Sequence, residues 1–270
     1  MNAFTEFEHE GWQRVADKYD SVWSTSTRQF IPPLLDAAEV AGNLSVLDVG
    51  CGPGYVSAAA AERGATSIGL DFSAEMIAIA KRMFPHIEFR EGDAQNLGFP
   101  DQSFDRVLAN FALLHLTAPE RACAEACRVL KPGGKFGFTT WARLEENAFV
   151  KLVDSAIQAH ANTEVDLPPG PPYYLFETPE EFRKALERAG FDGASMTFKV
   201  HTIEWKVPSA RFIFDAELKA GVRTAGLLAR QTPEALRAIQ LAIEKAVQPY
   251  AQGDGFAIPK AAYIVAARKP

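Results

Sequence analysis

The sequence predicts an α/β fold in which a mostly parallel seven-stranded sheet carries helices on both faces. The first observation is a regular alternation of apolar strand patterns with amphipathic helix patterns from residue 44 onward. The second is the spacing between those strands, which leaves the dozen or more residues that a crossover between parallel strands requires. The third is a glycine-rich turn directly after the first strand, at the sheet edge where α/β proteins bind ligands.

The first half of the chain provides five strand patterns and the helices between them. The first helix ends on Gly64, Ser73 caps the second, and Thr117 with Glu120 form a capping box for the third. The turn LKPGG then ends that helix and leads into the fifth strand. In chain order the strands are LSVLDV, ATSIGLD, IEFRE, FDRVLANFA and KFGFTTW.

The second half is less regular and predicts helices inserted around two further strands. Thr178 at the N-cap, Pro179 at N1 and Glu181 at N3 begin a helix that leads into a long extended segment, ASMTFKVHTIEWKV. Helical patterns fill residues 208–250, and AAYIVAARK is the last strand. We therefore predict one domain over 1–270. Its parts are an N-terminal lid 1–43, a cofactor-binding core 44–142, acceptor-side insertions 143–177 and 207–253, and a closing strand 256–268.

Bulk composition narrows the class of protein. The 270 residues carry a net charge of −6 without a run of Lys or Arg, which disfavours a nucleic-acid partner. No apolar run approaches the ~20 residues of a bilayer span, and the N-terminus lacks a secretory h-region. Three cysteines are too few for a disulfide framework. Cys123 and Cys127 lie four positions apart, but no second pair exists to complete a tetrahedral metal site. We expect a cytoplasmic protein, without a membrane partner or a metal.

Acids and glycines mark a candidate ligand site. In VLDVGCGPG, Asp48 ends a strand, and Gly50, Gly52 and Gly54 let the backbone turn tightly and approach a ligand. Asp71 ends the second strand, where a carboxylate accepts hydrogen bonds from ribose hydroxyls. A NAD-dependent dehydrogenase is the main alternative. However, its G-x-G-x-x-G/A fingerprint fails here because Tyr55 stands at the third glycine position.

Four motifs together resemble the class I S-adenosylmethionine-dependent methyltransferases, and within them the branch that contains the ubiquinone and menaquinone C-methyltransferases. VLDVGCGPG, GLDFS, EGDAQNLGFPDQSFDRV and RVLKPGG occur in the order and at the spacing of that family. The resemblance covers residues ~10–142. It implies a Rossmann-like sheet with an antiparallel last strand, S-adenosylmethionine as cofactor, a small-molecule methyl acceptor, and a monomer or homodimer.

The resemblance also implies roles for individual residues. Asp48 and the loop Gly50–Gly54, including Cys51, hold the methionine part of the cofactor, and Asp71 binds its ribose. Asp93, Ala94 and Gln95 lie at the adenine, and Asn110 lies near the sulfonium. Three further contacts are expected from Phe72 and Met76 beside the adenine and from Tyr19, which closes over the cofactor.

The acceptor side is less defined by sequence. His115 follows the fourth strand, where an imidazole serves either as a general base or as a pocket wall. Aromatic residues in the lid and the insertions predict a pocket for a hydrophobic or aromatic metabolite, although the same residues also suit plain packing. They are Trp23, Trp141, Tyr173, Tyr174 and Phe212.

The predicted reaction is in-line methyl transfer that releases S-adenosylhomocysteine. It requires positioning and exclusion of water more than a charged catalytic group. A non-catalytic S-adenosylmethionine-binding module remains the alternative. The sequence names neither the acceptor nor the methylated atom.

Overall fold

The structure is a computed structural model that describes residues 2–174 and 176–270. Residues 1 and 175, which fall in the predicted lid and the first predicted insertion, lie outside the described residues. The chain forms two compact units. The helical unit consists of Met1–Ser26, Ala142–Pro169 and Thr202–Ala261. The sheet unit consists of Thr27–Trp141, Gly170–His201 and Ala262–Pro270.

Eleven α-helices and eight strands are formed by the described residues. The helices are α1 (Ala3–Val22), α2 (Ser24–Thr27), α3 (Ile31–Ala37), α4 (Tyr55–Glu62), α5 (Ala74–Met83), α6 (Pro119–Val129), α7 (Ala148–His160), α8 (Pro179–Arg188), α9 (Ala210–Ala220), α10 (Arg223–Leu228) and α11 (Pro233–Ala246). The strands are β1 (Ser45–Val49), β2 (Thr66–Asp71), β3 (Glu88–Glu91), β4 (Phe104–Asn110), β5 (Leu130–Trp141), β6 (Asp192–Val207), β7 (Ala251–Gln252) and β8 (Gly255–Arg268).

The sheet confirms the predicted α/β class. Its strand order is β3-β2-β1-β4-β5-β8-β6, and β1 to β5 pair in parallel. The last strand runs antiparallel to β5, with Thr139 opposite Ile264. The short strand β7 pairs with β8 and makes eight strands rather than seven among the described residues. From β1 the chain first adds β2 and β3 on one side of the sheet and then β4 and β5 on the other, so the strand order reverses between β1 and β4. The carboxyl ends of these two strands flank the crevice in which such sheets usually bind ligands.

Local capping signals explain where several helices begin. Ser73 caps α5 by accepting a hydrogen bond from Met76 N at 3.3 Å, as predicted. Thr178 and Glu181 form the predicted capping box of α8. The capping box predicted for α6 is wrong, because Ala118 occupies its N-cap position and no side-chain hydrogen bond caps the helix there. The backbone N–H of Ala118 instead donates to the side-chain oxygen of Gln95 at 2.7 Å.

Each unit buries its own apolar core. In the sheet unit Leu34, Leu35 and Ala38 of the α3 region pack with Val46 and Leu108 of the sheet. In the helical unit α1, α7, α9, α10 and α11 pack on one another. Among the described helices, none combines the length and apolar character that a membrane span requires.

The predicted domain boundaries do not coincide with the unit boundaries. Of the predicted lid 1–43, the part up to residue 26 belongs to the helical unit and the remainder to the sheet unit. The insertion 207–253 lies wholly in the helical unit. The insertion 143–177 and the closing strand 256–268 are each divided between the units. One methyltransferase domain over 1–270 stays a prediction.

Candidate active site

The glycine loop after β1 forms the centre of the candidate site. Gly50, Gly52 and Gly54 all have positive φ, at 67°, 50° and 89°, a conformation that favours glycine. A Cβ on Gly50 would collide with the Ala112 side chain, and one on Gly54 would lie 2.7 Å from the Phe89 ring. A Cβ on Gly52 would meet nothing within 4 Å. Two of the glycines therefore permit close packing, whereas Gly52 borders open space that suits a ligand.

Asp71 joins the end of β2 to this loop. Its Oδ2 accepts from Gly52 N at 2.8 Å and its Oδ1 accepts from Ser73 N at 2.9 Å. Burial raises the pKa of Asp71, and these two backbone N–H groups oppose the shift. The backbone N–H of Phe72 also lowers this pKa, and because a carboxylate has about four acceptor sites, Asp71 is able to accept from a ligand hydroxyl while it holds the loop.

Asp48 is fully buried, and only one of its two carboxylate oxygens accepts hydrogen bonds from the protein. Oδ2 accepts from Ser57 N at 3.0 Å and from Ser57 Oγ at 2.7 Å, and so satisfies a free N–H in the first turn of α4. Oδ1 has no hydrogen-bond partner among the described residues. Burial raises the pKa of Asp48 to about 7, with the nearby charge of Asp71 adding to the shift. A cationic ligand group would satisfy Oδ1 and lower this pKa.

The remaining residues predicted at the cofactor divide into polar loop residues and core residues. Asp93 is exposed and its Oδ1 accepts from Gln95 N at 2.8 Å, which folds the loop after β3 around buried Ala94. Phe72 is half-buried. Met76 and Cys51 are buried, and Cys51 packs in a cluster with Ile77 and Phe89. Burial raises the pKa of the Cys51 thiol, so it stays neutral beside the site.

At the end of β4 the polar groups of Asn110 are held by its neighbours. Asn110 Nδ2 donates to the Thr27 carbonyl at 3.3 Å, and its Oδ1 accepts from Thr139 Oγ1 at 2.7 Å. The next residue, Phe111, has a φ of 56°, which is unusual for an aromatic residue and costs of order 1–3 kcal/mol. Such strain often lies at functional sites and needs compensating contacts.

An aromatic cluster follows β4 and β5 in the sheet unit. Phe111 stacks on Trp141 with ring centroids 3.9 Å apart, and Phe30 contacts both rings edge-on. His115 is half-buried in the turn after Phe111, with its ring centroid 6.5 Å from that of Tyr173. Tyr173 in turn contacts Tyr174 edge-on at 5.5 Å. Three of the five aromatic residues predicted for the pocket thus belong to this unit.

The other aromatic predictions lie in the helical unit. Trp23 stacks with Trp205, a residue that sequence reasoning did not select, at a centroid distance of 5.6 Å. Phe212 contacts the same Trp205 ring at 6.0 Å. Tyr19 contacts Trp12 edge-on in α1. Its closure over a cofactor stays a prediction, as do the roles of all the predicted site residues.

Sequence reasoning also missed three polar residues. Ser57 lies nine positions after Asp48, in the first turn of the helix after the glycine loop, a location that could have signalled a capping partner. Thr139 is the strand partner of Asn110 in the β4–β5 pairing. Lys260 is buried in an apolar segment of β8, and no local pattern marks it.

The candidate site fits S-adenosylmethionine by the chemistry of its groups. Asp71 supplies acceptors for hydroxyls, Oδ1 of Asp48 supplies an unsatisfied acceptor, and the open face of Gly52 leaves room beside a bare backbone. These features lie at the carboxyl ends of β1 and β2, as ligand sites in such sheets do.

Comparison with known proteins gives consistent results. A family model described as a methyltransferase domain matches residues 47–138. A demethylmenaquinone methyltransferase of Paenarthrobacter aurescens is 35% identical over 172 residues, which cover 61% of this chain and 68% of that protein. Another, from Renibacterium salmoninarum, is 42% identical over 125 residues, or 45% of this chain and 53% of that protein. The chain thus spans between half and about two thirds of these relatives.

Solved structures share the fold. One is a phosphoethanolamine N-methyltransferase of Haemonchus contortus in complex with phosphomonomethylethanolamine and S-adenosylhomocysteine, at a TM-score of 0.59 and 18% identity. The match covers 100% of this chain and 61% of that chain. At this identity the likeness concerns the fold alone.

Proposed function

Because this chain belongs to the class I S-adenosylmethionine-dependent methyltransferases, we propose that it methylates a small, hydrophobic or aromatic metabolite. The observation that carries the proposal is the glycine loop tied to Asp71, with the open face of Gly52 beside it. Membership of the family gives S-adenosylmethionine as the methyl donor. The acceptor class and the residue roles are the proposal.

The residues of the sheet unit have complementary tasks in binding. Asp71 accepts hydrogen bonds from the ribose hydroxyls and, through Gly52 N, keeps the loop in its binding conformation. Asp48 directs Oδ1 toward the ammonium of the methionine part. Asp93, Ala94 and Gln95 receive the adenine, and Asn110 borders the reacting sulfur.

Bound S-adenosylmethionine supplies an electrophilic methyl group on a sulfonium. The protein's contribution is to align an acceptor with that methyl group and to keep water away. The cluster of Phe30, Phe111 and Trp141 at the ends of β4 and β5 supplies apolar surface suited to that task. His115 is proposed as the general base for acceptors that lose a proton on methylation.

Two observations support a hydrophobic or aromatic acceptor. Trp141 is the last residue of β5, and Tyr173 contacts both His115 and Tyr174. Aromatic side chains of this kind suit the wall of a pocket for an apolar ligand. The two relatives above are named for methylation of demethylmenaquinone, which favours a ring-containing acceptor for this chain as well.

Isothermal titration calorimetry with S-adenosylmethionine tests the donor site. We expect a Kd between about 1 μM and 1 mM, the usual range for enzyme substrates. An absence of binding at about 1 mM would contradict the proposal. Release of S-adenosylhomocysteine is then measured with an alkylated hydroquinone, a phenol and, as a polar comparison, phosphoethanolamine. Turnover of phosphoethanolamine alone would overturn the acceptor class, and binding without any turnover would favour a non-catalytic module.

The cellular setting is also proposed. Cys51, Cys123 and Cys127 are all free and buried, which supports a reducing compartment such as the cytoplasm. We propose a monomer or homodimer, and light scattering of the purified protein measures this directly.

A further inference from the structure

Thr139 lies in β5 directly opposite Asn110 of β4 and is fully buried. Its hydroxyl makes two hydrogen bonds at once. Oγ1 donates to Asn110 Oδ1 at 2.7 Å and accepts from Phe111 N at 2.9 Å. One side chain therefore contacts two consecutive residues at the edge of the candidate site.

The direction of these hydrogen bonds is fixed by the groups involved. The backbone N–H of Phe111 is only a donor, so Oγ1 must accept from it and direct its own proton to Asn110. On the other side of the amide, Nδ2 of Asn110 donates to the Thr27 carbonyl. The amide is thus held at both ends and presents its oxygen in one defined orientation.

The same hydroxyl also stabilises the unusual backbone of Phe111. Left-handed φ is disfavoured for an aromatic residue, and the Phe111 N–H offsets part of that cost by donating to Thr139 Oγ1 and, at 3.3 Å, to the Thr139 carbonyl. This conformation places the Phe111 ring on Trp141 and brings Ala112 against Gly50. Ala112 lies so close to Gly50 that a Cβ there would collide with it.

We infer that Thr139 is a positioning residue for methyl transfer, which orients the Asn110 amide oxygen toward the sulfonium and aligns residues 110–112 with the glycine loop. The inference rests on the proposed S-adenosylmethionine site. A partially negative amide oxygen interacts more favourably with the positively charged sulfonium than with the neutral sulfur of S-adenosylhomocysteine. Correct orientation of Asn110 should therefore favour the substrate over the product.

Thr139→Val tests this by removing the hydroxyl at nearly constant shape. Thr139→Ser is the matched variant that keeps the hydroxyl and removes only the methyl group. Dissociation constants for S-adenosylmethionine and S-adenosylhomocysteine are measured by calorimetry, together with the melting temperature. We expect Thr139→Val to weaken S-adenosylmethionine binding at least about fivefold, with a smaller effect on S-adenosylhomocysteine. Thr139→Ser should bind both within about twofold of the wild type. Thr140→Val, at the neighbouring buried position on the other face of β5, is the matched control and should leave both constants unchanged.

The outcomes separate this inference from the proposed function. If the wild-type protein does not bind S-adenosylmethionine, the proposed function itself fails. If the wild type binds but Thr139→Val weakens both ligands equally, the hydroxyl merely supports the fold and the inference is overturned. Wild-type affinity in a folded Thr139→Val protein would overturn it too, as would a Thr139→Ser variant no better than Thr139→Val.

Discussion

The two units of this protein bury carboxylates in different ways. In the sheet unit Asp48 and Asp71 are satisfied by N–H groups of the backbone and a serine hydroxyl, at Ser57, Gly52 and Ser73. Acceptor capacity remains on both carboxylates. In the helical unit the buried charges are opposed by charges of the other sign and covered by aromatic rings.

Lys260 is the clearest example in the helical unit. Its Nζ lies over the rings of Trp23, Phe149 and Trp205, at 4.4–4.6 Å from their centroids, and donates to Ser26 Oγ at 3.3 Å. Burial lowers the pKa of Lys260 and raises that of Glu217, while their mutual attraction opposes both shifts.

A second buried charge of the helical unit, Glu8, shows the same pattern. Glu8 accepts from Arg223 Nε at 2.7 Å and from Trp12 Nε1 at 3.1 Å, and the guanidinium lies 4.5 Å from the Phe4 ring centroid. The comparison teaches that a buried charge indicates a ligand site where it keeps an acceptor that no protein group satisfies, as Oδ1 of Asp48 does. In the helical unit Glu8 joins α1 to α10 through Arg223, and Lys260 joins β8 to α2 through Ser26.

The largest expected effect comes from Asp71→Asn in the sheet unit. The substitution removes the negative charge that strengthens each hydrogen bond to a ribose hydroxyl, at about 1.5–3 kcal/mol for each, and it replaces the acceptor of either Gly52 N or Ser73 N by an NH2 group. We expect the affinity for S-adenosylmethionine to fall about 100-fold or more in calorimetry. The melting temperature, measured in parallel, identifies any loss of folding. Affinity within threefold of the wild type would contradict a ligand-binding role for Asp71 and remove the contrast between the units.

The next effect concerns the helical unit and is a loss of stability. Glu217→Leu leaves Lys260 buried without the charge that opposes the effect of burial on it, and we expect a loss of about 1–3 kcal/mol, the usual cost of an uncompensated buried polar group. Replacing both residues, as Glu217→Leu with Lys260→Met, should recover most of that loss because an apolar pair needs no compensation. Urea unfolding followed by tryptophan fluorescence measures both, since Trp23 and Trp205 lie over Lys260.

Two results would contradict this account of the helical unit. One is a Glu217→Leu protein as stable as the wild type, and the other is a double variant no more stable than the single one. Glu217 and Lys260 both belong to the helical unit, whereas Asp48 and Asp71 belong to the sheet unit. S-adenosylmethionine affinity of the folded double variant should therefore stay within about twofold of the wild type.

Sequence patterns predicted the features whose causes are local. Helix caps at Ser73 and Thr178 depend on a residue and its neighbours three positions along, so composition and spacing reveal them. The glycine loop after β1 is equally local, since each positive φ value demands glycine at its own position. The capping box predicted for α6 failed because a residue distant in sequence, Gln95, bonds to the start of that helix.

Contacts that depend on strand register could not be predicted. Phe104 pairs with Leu130, an offset of 26 residues (130 − 104), whereas Asn110 pairs with Thr139, an offset of 29 (139 − 110). The shift follows the glycine turn within β5, where Gly133 has a φ of 76°. If the pairing of Phe104 with Leu130, the first residues of β4 and β5, continued without a shift, Phe136 and not Thr139 would lie opposite Asn110. The Lys260 cluster was missed for a similar reason, because it joins Ser26 to a residue 234 positions away.

The last predicted effect, at most about tenfold on affinity, distinguishes the two tasks of Asp48. Its pKa is raised in the folded protein to about 7, so the folded state binds a proton that the unfolded state has lost above about pH 4. The free energy of unfolding should therefore decrease between pH 4 and pH 7 and be insensitive to Asp48 above that. A cation at Oδ1 prefers the ionised carboxylate, so S-adenosylmethionine affinity should increase with pH, by up to about tenfold from pH 6 to pH 8.

Asp48→Asn is the matched variant, because the amide oxygen still accepts from Ser57 while the group no longer titrates. Differences between wild type and variant isolate Asp48 from Asp71 and from the amino group of the ligand, which titrate in both proteins. We expect opposite pH dependences in these differences: stability decreases with pH while affinity increases. Equal pH profiles of affinity in the two proteins would assign Asp48 to the support of α4 alone. The unsatisfied acceptor of the sheet unit would then have a structural role, like the buried charges of the helical unit.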